Sequence, residues 1–254
     1  MSPEQIDEHL HALNLKGMAE VMRRYSNERP RAEVDPLLLV AQMVEAQLAL
    51  RRTLKTTARL RTATFRELAT PDQIDWQHPR GLRKADVQHL LSGAWVDHAH
   101  NVAITGATGL GKSFLACAIG HRMCELGHTV LFRRATRLFE EMHSWRADGS
   151  YLQKLAKLKT TAVLIIDDFA LEPMDATARR DMMELMEDRY ALCSTVITSQ
   201  FEPGEWHTAV GTPLHADSIM DRLVHNAIRI RLTGDSIRKT RGQEQLKKSG
   251  LQGT

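Results

Sequence analysis

Three glycines, a lysine and a serine stand in the order Gly106-Ala107-Thr108-Gly109-Leu110-Gly111-Lys112-Ser113, which fills every specified position of G-x-x-x-x-G-K-[ST]. Glycine lets a backbone curl around an anion without Cβ clashes. The loop N–H groups and the N-terminus of a following helix then converge on that anion. In such a setting Lys112 contacts the β- and γ-phosphates of a nucleoside triphosphate, and Ser113 binds Mg²⁺. The flanks supply the setting: Asn101–Thr105 reads as a short buried strand, and Phe114–Leu126 reads as a helix whose first residue adjoins the loop. Residues Gly106 to Phe114 are therefore the candidate nucleotide-binding segment.

A phosphate loop alone does not define a hydrolase. Its expected companion is Val163-Leu164-Ile165-Ile166-Asp167-Asp168, an apolar strand ending in two acids. Ligands of open α/β sheets bind beyond the carboxyl ends of the strands. That position puts Asp167 beside the metal held by Ser113, and Asp168 near the γ-phosphate as general base for the attacking water. Thr198-Ser199-Gln200 closes the next strand with hydrogen-bonding side chains at the same edge; the group holds the water or γ-phosphate, or simply caps a strand end. Arg222 and Arg238 are unremarkable by spacing, and most arginines are surface charges.

These residues need a frame. From residue 101 onward strand-like and helix-like segments alternate, as in an α/β domain with a parallel sheet. The expected strands are Val102–Thr105, Thr129–Phe132, Ala162–Ile166, Thr195–Thr198 and Ala227–Leu232. The expected helices between them are Phe114–Leu126, Thr136–Trp145, Asp175–Ala191 and Ala216–His225. Upstream, Leu10, Leu13, Met18, Val21, Met22 and Tyr25 recur at helical spacing and stop near Asn27–Pro30. Asp35-Pro36 offers an N-cap and a first-turn proline. The helix it opens carries Leu37, Val40, Val44, Leu48 and Leu54 on one face. A polar connector with Pro71, Trp76 and Pro79-Arg80-Gly81 and a short helix, Lys84–Ser92, lead to the loop strand. The expected organisation is a small helical domain over 1–70, a nucleotide-binding domain over 71–240, and a disordered tail over 241–254.

The chain has 254 residues, 43% of them hydrophobic, enough for a core of ordinary size. No apolar run reaches membrane-spanning length and the polar start is no signal peptide, so the expected location is the cytoplasm. Cys117, Cys124 and Cys193 read as reduced thiols, with no C-x-x-C pair. His98 and His100 read as a turn before a strand; no histidine has metal-ligand spacing. The formal net charge of +3 is unevenly spread, because Arg51, Arg52, Lys55, Arg59, Arg61 and Arg66 share one stretch without an acid. A charge run is usually a solvated helix face; the absence of interleaved acids also suits a polyanion partner.

Taken together, the residues resemble the IstB family, the transposition-helper ATPases of bacterial insertion sequences, close to DnaC helicase loaders within the AAA+ superfamily. The likeness runs through Leu13–Met18, Ala63–Phe65 to Asp75-Trp76, the phosphate loop, Ile165–Phe169, Arg189-Tyr190, Thr198–Gln200, Asp221–Leu223 and Gly234–Arg238. It implies a three-layer AAA+ domain behind a small helical domain, with Gln200 as the polar sensor. It implies Arg222 as a finger reaching the γ-phosphate of a neighbouring subunit, and Arg238 as a second sensor. It implies oligomerisation on duplex DNA with little sequence preference and recruitment of a transposase. Asp168 stands where many AAA+ ATPases have Glu, which implies slow turnover, and the stretch 233–254 is shorter than a full helical lid. A helicase loader shares these residues. A small-molecule kinase would need an Arg-rich closing lid, and a scaffold that binds ATP without hydrolysis would need no base.

Overall fold

A computed structural model describes residues 1–28 and 35–237. Arg238 and the expected tail over 241–254 lie outside the described residues. The chain divides into two compact units, Met1–Ala58 and Arg59–Thr254. The expected division stood near residue 70. Leu60, Ala63, Phe65, Ala69 and Ile74 explain the difference, because all of them pack into the core of the second unit.

The first unit holds α1 (Pro3–Ala12), α2 (Lys16–Glu28) and the greater part of α3 (Pro36–Ala63). The periodic stretch from Leu10 to Tyr25 is two helices rather than one. Asn14 breaks it by adopting φ 59°, a conformation that its short polar side chain tolerates better than most. Ser2 and Gln5 form a capping box on α1. Leu37 N–H donates to Asp35 Oδ1 at 2.9 Å, the cap expected of Asp35-Pro36. A Cβ on Gly17 would lie 2.7 Å from the Gln47 Cα, so only glycine permits α2 to approach α3 this closely. The buried Gln47 amide oxygen accepts the Gly17 N–H at 2.8 Å there. The apolar stripe of α3 is present, but it is exposed: Leu37 is 75% accessible and Leu54 59%.

In the second unit α4 (Lys84–Ser92) and α5 (Ala94–Asp97) precede β1 (Asn101–Thr105) and α6 (Lys112–Leu126). Then come β2 (Val130–Arg134), α7 (Ala135–Ala147), α8 (Tyr151–Thr160), β3 (Val163–Phe169), α9 (Ala176–Arg189), β4 (Ser194–Ser199), α10 (Trp206–Val210), α11 (Pro213–Val224) and β5 (Ala227–Arg231). The strands form one five-stranded sheet in the order β2-β3-β4-β1-β5. Every neighbouring pair in it is parallel. Side chains alternate across a strand, and both faces here are covered. Val163 and Ile165 enter one core with Leu115, Ile119 and Trp95. Leu164 and Ile166 enter the other with Leu138, Leu155, Met182 and Trp206. Double burial is why these strands are continuous apolar runs. Burial also pushes the Cys117 and Cys124 thiols up to about 12, which leaves them protonated and unreactive. No helix among the described residues is long and apolar enough to cross a membrane.

Candidate active site

The strand order sets the site. β4 lies between β1 and β3, so the loop that leaves β1 and the acids that end β3 flank the end of β4. The turn from β1 into α6 is tightly enclosed. Gly106 has φ 139°, and a Cβ there would stand 2.3 Å from the Leu232 carbonyl oxygen. Gly109 has φ 90°, and its Cβ would meet Ser236 Oγ at 2.0 Å. Other segments hold the loop's carbonyls: the N–H groups of Leu232 and Ile237 donate to Thr105 and Gly109 at 2.8 and 2.9 Å. The buried Arg80 donates to the Leu110 carbonyl at 3.0 Å and to the Asp75 carbonyl at 3.0 Å. With the Gly109 and Leu110 carbonyls held by other segments, the loop can present N–H groups to an anion.

Lys112, the first residue of α6, is buried and donates to the carbonyls of Gly106 and Ala107 at 2.6 and 2.9 Å. Burial lowers its ammonium pKa, opposed by the charges of Asp168 and Asp167. Ser113 Oγ donates to Asp167 Oδ1 at 2.7 Å. Thr198 Oγ1 donates to the same oxygen at 2.6 Å and accepts the Asp168 N–H at 3.0 Å.

Successive strand residues normally face opposite sides of a sheet. Asp167 and Asp168 do not. The β3–β4 register slips between Ile166 and Phe169, and Asp168 adopts φ 55°. A bulge of this kind re-aims a side chain. Both carboxylates reach one guanidinium: Arg66 Nη1 lies 3.2 Å from Asp167 Oδ2 and 3.6 Å from Asp168 Oδ2. Arg134, at the end of β2, donates to Asp168 Oδ2 from Nε and Nη2 at 3.0 and 2.8 Å.

The loop, Asp168 and the arginines share a cavity of about 280 Å³, with Asp167 fully buried behind it. Thr108, Gly109, Gly111, Lys112, Ser113 and Phe114 line it from the loop side, with Asp168, Gln200, Arg66 and Arg134 across from them. Gln73, Asp75 and Arg80 close another side. Backbone N–H groups, that of Gln77 foremost, hold the Asp75 carboxyl below its ordinary value. A hydroxyl and a carboxylate 2.7 Å apart beside a glycine cradle are hard oxygen donors of the kind that hold Mg²⁺ with few protein ligands, the rest coming from phosphate and water. The residues present fit that ion.

The sequence pattern of the family described as IstB-like ATP binding protein matches residues 8–245. The chain belongs to that family. An insertion sequence ATP-binding protein of Sinorhizobium fredii, y4pL, is 40% identical over 230 residues, 91% of this chain and 94% of that one. The ATP-binding protein of insertion sequence IS1162 from Pseudomonas fluorescens is 33% identical, over 80% of this chain and 88% of that one. Among solved structures, DnaI superposes with TM-score 0.58 at 21% identity over 70% of this chain and 94% of its own. The DnaC helicase loader superposes with TM-score 0.52 at 17% identity over 59% and 87%. At such identities the two structures speak for a shared fold alone; the family match carries the expected AAA+-like α/β domain behind a helical region.

One of the residues singled out in the sequence stands apart from the group it was read with. Arg66, grouped with the basic run, lies in the cavity beside the acids, while Arg51, Arg52, Lys55 and Arg61 are exposed on α3 and Arg59 is half-buried. Arg222 is outside the cavity. Its carbonyl and that of Leu223 accept from Asn101 Nδ2, at the first residue of β1 and thus at the opposite edge of the sheet. Its guanidinium bonds Ser218 and pairs with Glu187. Sequence reasoning missed Arg80 and Arg134. The only signals were a basic residue in a Pro-Arg-Gly turn and one at a strand end, neither of which announces what it touches.

Proposed function

We propose that this protein binds ATP with Mg²⁺ and hydrolyses it while assembled on duplex DNA, as a helper that recruits a transposase. The observation that carries the reading is the bulged end of β3. It sets Asp167 against Ser113 and turns Asp168 to the same side, facing the phosphate loop. The insertion-sequence proteins with which the chain aligns over nine-tenths of its length support the transposition context.

The loop from Gly106 to Ser113 takes the phosphates on its N–H groups and the helix N-terminus. Lys112 exchanges two carbonyls for β- and γ-phosphate oxygens, and Ser113 and Asp167 would hold the metal. Mg²⁺, when bound, would neutralise charge that develops on the phosphates. Asp168 accepts a proton from water as the water oxygen bonds to the γ-phosphorus and the bond to ADP breaks; the proton then passes to solvent. Gln200 orients that water. Arg134 must give up its two hydrogen bonds to Asp168 before the carboxylate can serve as a base. An Asp in this role sits one methylene farther from the water than a Glu, which suits a slow switch.

Arg222 lies at the wrong edge of the sheet to serve its own cavity, which supports its acting on a neighbouring copy. Assembly and hydrolysis are then linked. Arg51, Arg52, Lys55, Arg59 and Arg61 meet DNA phosphates or the transposase, with the N-terminal helical unit as the DNA- or partner-binding domain and the sheet-bearing unit as the ATPase.

Electron microscopy of the protein with duplex DNA, with and without a non-hydrolysable ATP analogue, tests the reading. Ordered assemblies should form on DNA only with the analogue, and Lys112→Ala should form none. Identical assemblies without nucleotide, or with Lys112→Ala, would contradict a nucleotide switch.

A further inference from the structure

Arg66 belongs to a run of cations that otherwise faces solvent, yet its guanidinium sits among the two acids. Its backbone is anchored by the two residues that precede it. Phe65 packs against α6, where a Cβ on Gly120 would lie 2.7 Å from the phenyl ring. Thr64, at φ 54°, accepts a hydrogen bond from Arg133 at 2.7 Å. The residue is therefore tied to the helix that begins at the phosphate loop and to the strand beside the acids.

From that anchor Nη1 reaches Asp167 and Asp168 at 3.2 and 3.6 Å. Ser113 Oγ stands 2.7 Å from the other oxygen of Asp167. The guanidinium thus lies at the end of the cavity expected to hold the metal, where the terminal phosphate of a triphosphate would come; the Arg66 side chain lines that cavity and is 40% accessible. A planar guanidinium is suited to phosphate oxygens, to which it can donate two parallel hydrogen bonds. Lys112 is the one cation that the loop motif supplies, and Arg222 is out of reach within one subunit.

We infer that Arg66 is a catalytic residue supplied in cis: its guanidinium moves from the acid pair to the γ-phosphate of bound ATP, distinguishing ATP from ADP. The inference rests on the reading of the cavity as a nucleotide site.

Equilibrium binding of a fluorescent non-hydrolysable ATP analogue and of fluorescent ADP, both with Mg²⁺, tests it. The full-length parent, Arg66→Ala, Arg66→Lys and Arg61→Ala would be compared, with thermal melting as the check on folding. Removing a charge-assisted hydrogen bond made only to the terminal phosphate should weaken the analogue about tenfold or more in Arg66→Ala and leave ADP within about twofold. Arg66→Lys should recover part of the affinity, and Arg61→Ala should bind both nucleotides as the parent does. Equal weakening for both nucleotides, or none, would overturn the inference. So would a defect of Arg66→Ala confined to duplex-DNA binding, which would return the residue to the basic run. A parent that binds neither nucleotide sinks the nucleotide reading itself, whereas a parent that binds both with Arg66→Ala unaffected sinks only the role of Arg66.

Discussion

The phosphate loop and the acid pair meet at one site, but they acquire their shapes by different means. The loop's conformation follows from residue type. Gly106 and Gly109 take positive φ where a side chain would also strike Leu232 or Ser236, so the motif and the geometry are nearly the same statement. The acid pair borrows its shape. Asp167 and Asp168 face one way because of a bulge against β4, a hydroxyl from Thr198, and arginines from two further segments. A loop written into its own glycines should tolerate no substitution. A strand end held by borrowed partners should fail by degrees as each is removed.

Gly106→Ala attacks the first half of that contrast and carries the largest expected effect. The added Cβ meets backbone at 2.3 Å, so the loop must open; ATP binding should be abolished in equilibrium titrations, as it should in Lys112→Ala. If Gly106→Ala binds ATP like the parent, the loop is not held as described. Thr198→Val comes next, since it keeps shape while removing the hydroxyl that bonds Asp167 and the Asp168 N–H. It leaves buried polar groups unpaired, so hydrolysis should fall by about one to two orders of magnitude, in the range typical of deleting one preorganised hydrogen bond. ATP affinity should change far less, and a parallel fall in affinity would mean that the acids help to shape the loop. Arg134→Ala should act in the opposite direction, raising the DNA-free rate of phosphate release about severalfold by freeing Asp168 from a charge-assisted pair. A fall in that rate would make Arg134 part of the catalytic arrangement. Smallest of all, removing Arg51 and Arg52 together should leave nucleotide binding intact and make DNA affinity less salt-dependent, by about 0.9 in the log–log slope for each phosphate no longer neutralised. An unchanged slope would place these arginines away from DNA.

Much of this was legible in sequence, for reasons that differ by region. The strands announce themselves because both faces of the sheet are covered. Val163–Ile166 has no polar residue to confuse the reading, and only its continuation through the bulge to Phe169 was hidden. The helix Lys84–Ser92 is read from the sequence as the structure has it. In contrast α8 escaped notice, because Leu155 and Leu158 are its only buried side chains among lysines and other polar groups. The break at Asn14 was masked by apolar periodicity that runs straight across it. Arg66 was misplaced for a related reason. Spacing groups it with Arg59 and Arg61, but α3 ends at Ala63 and the chain then turns at Thr64, so its neighbours in sequence are not its neighbours in space. The cavity's loop side is local in sequence and could be read; its far side converges from residues 66, 134, 168 and 200, and only the fold brings them together.

The central claim is that one subunit's site is finished by another. Phosphate release from ATP, with duplex DNA present, by mixtures of Lys112→Ala and Arg222→Ala subunits tests it most directly. Each variant alone should be inactive. The mixtures should regain activity that peaks near equal proportions, where an intact loop most often meets an intact Arg222. No recovery at any ratio, with both variants folded and Arg222→Ala still binding ATP, would contradict the claim.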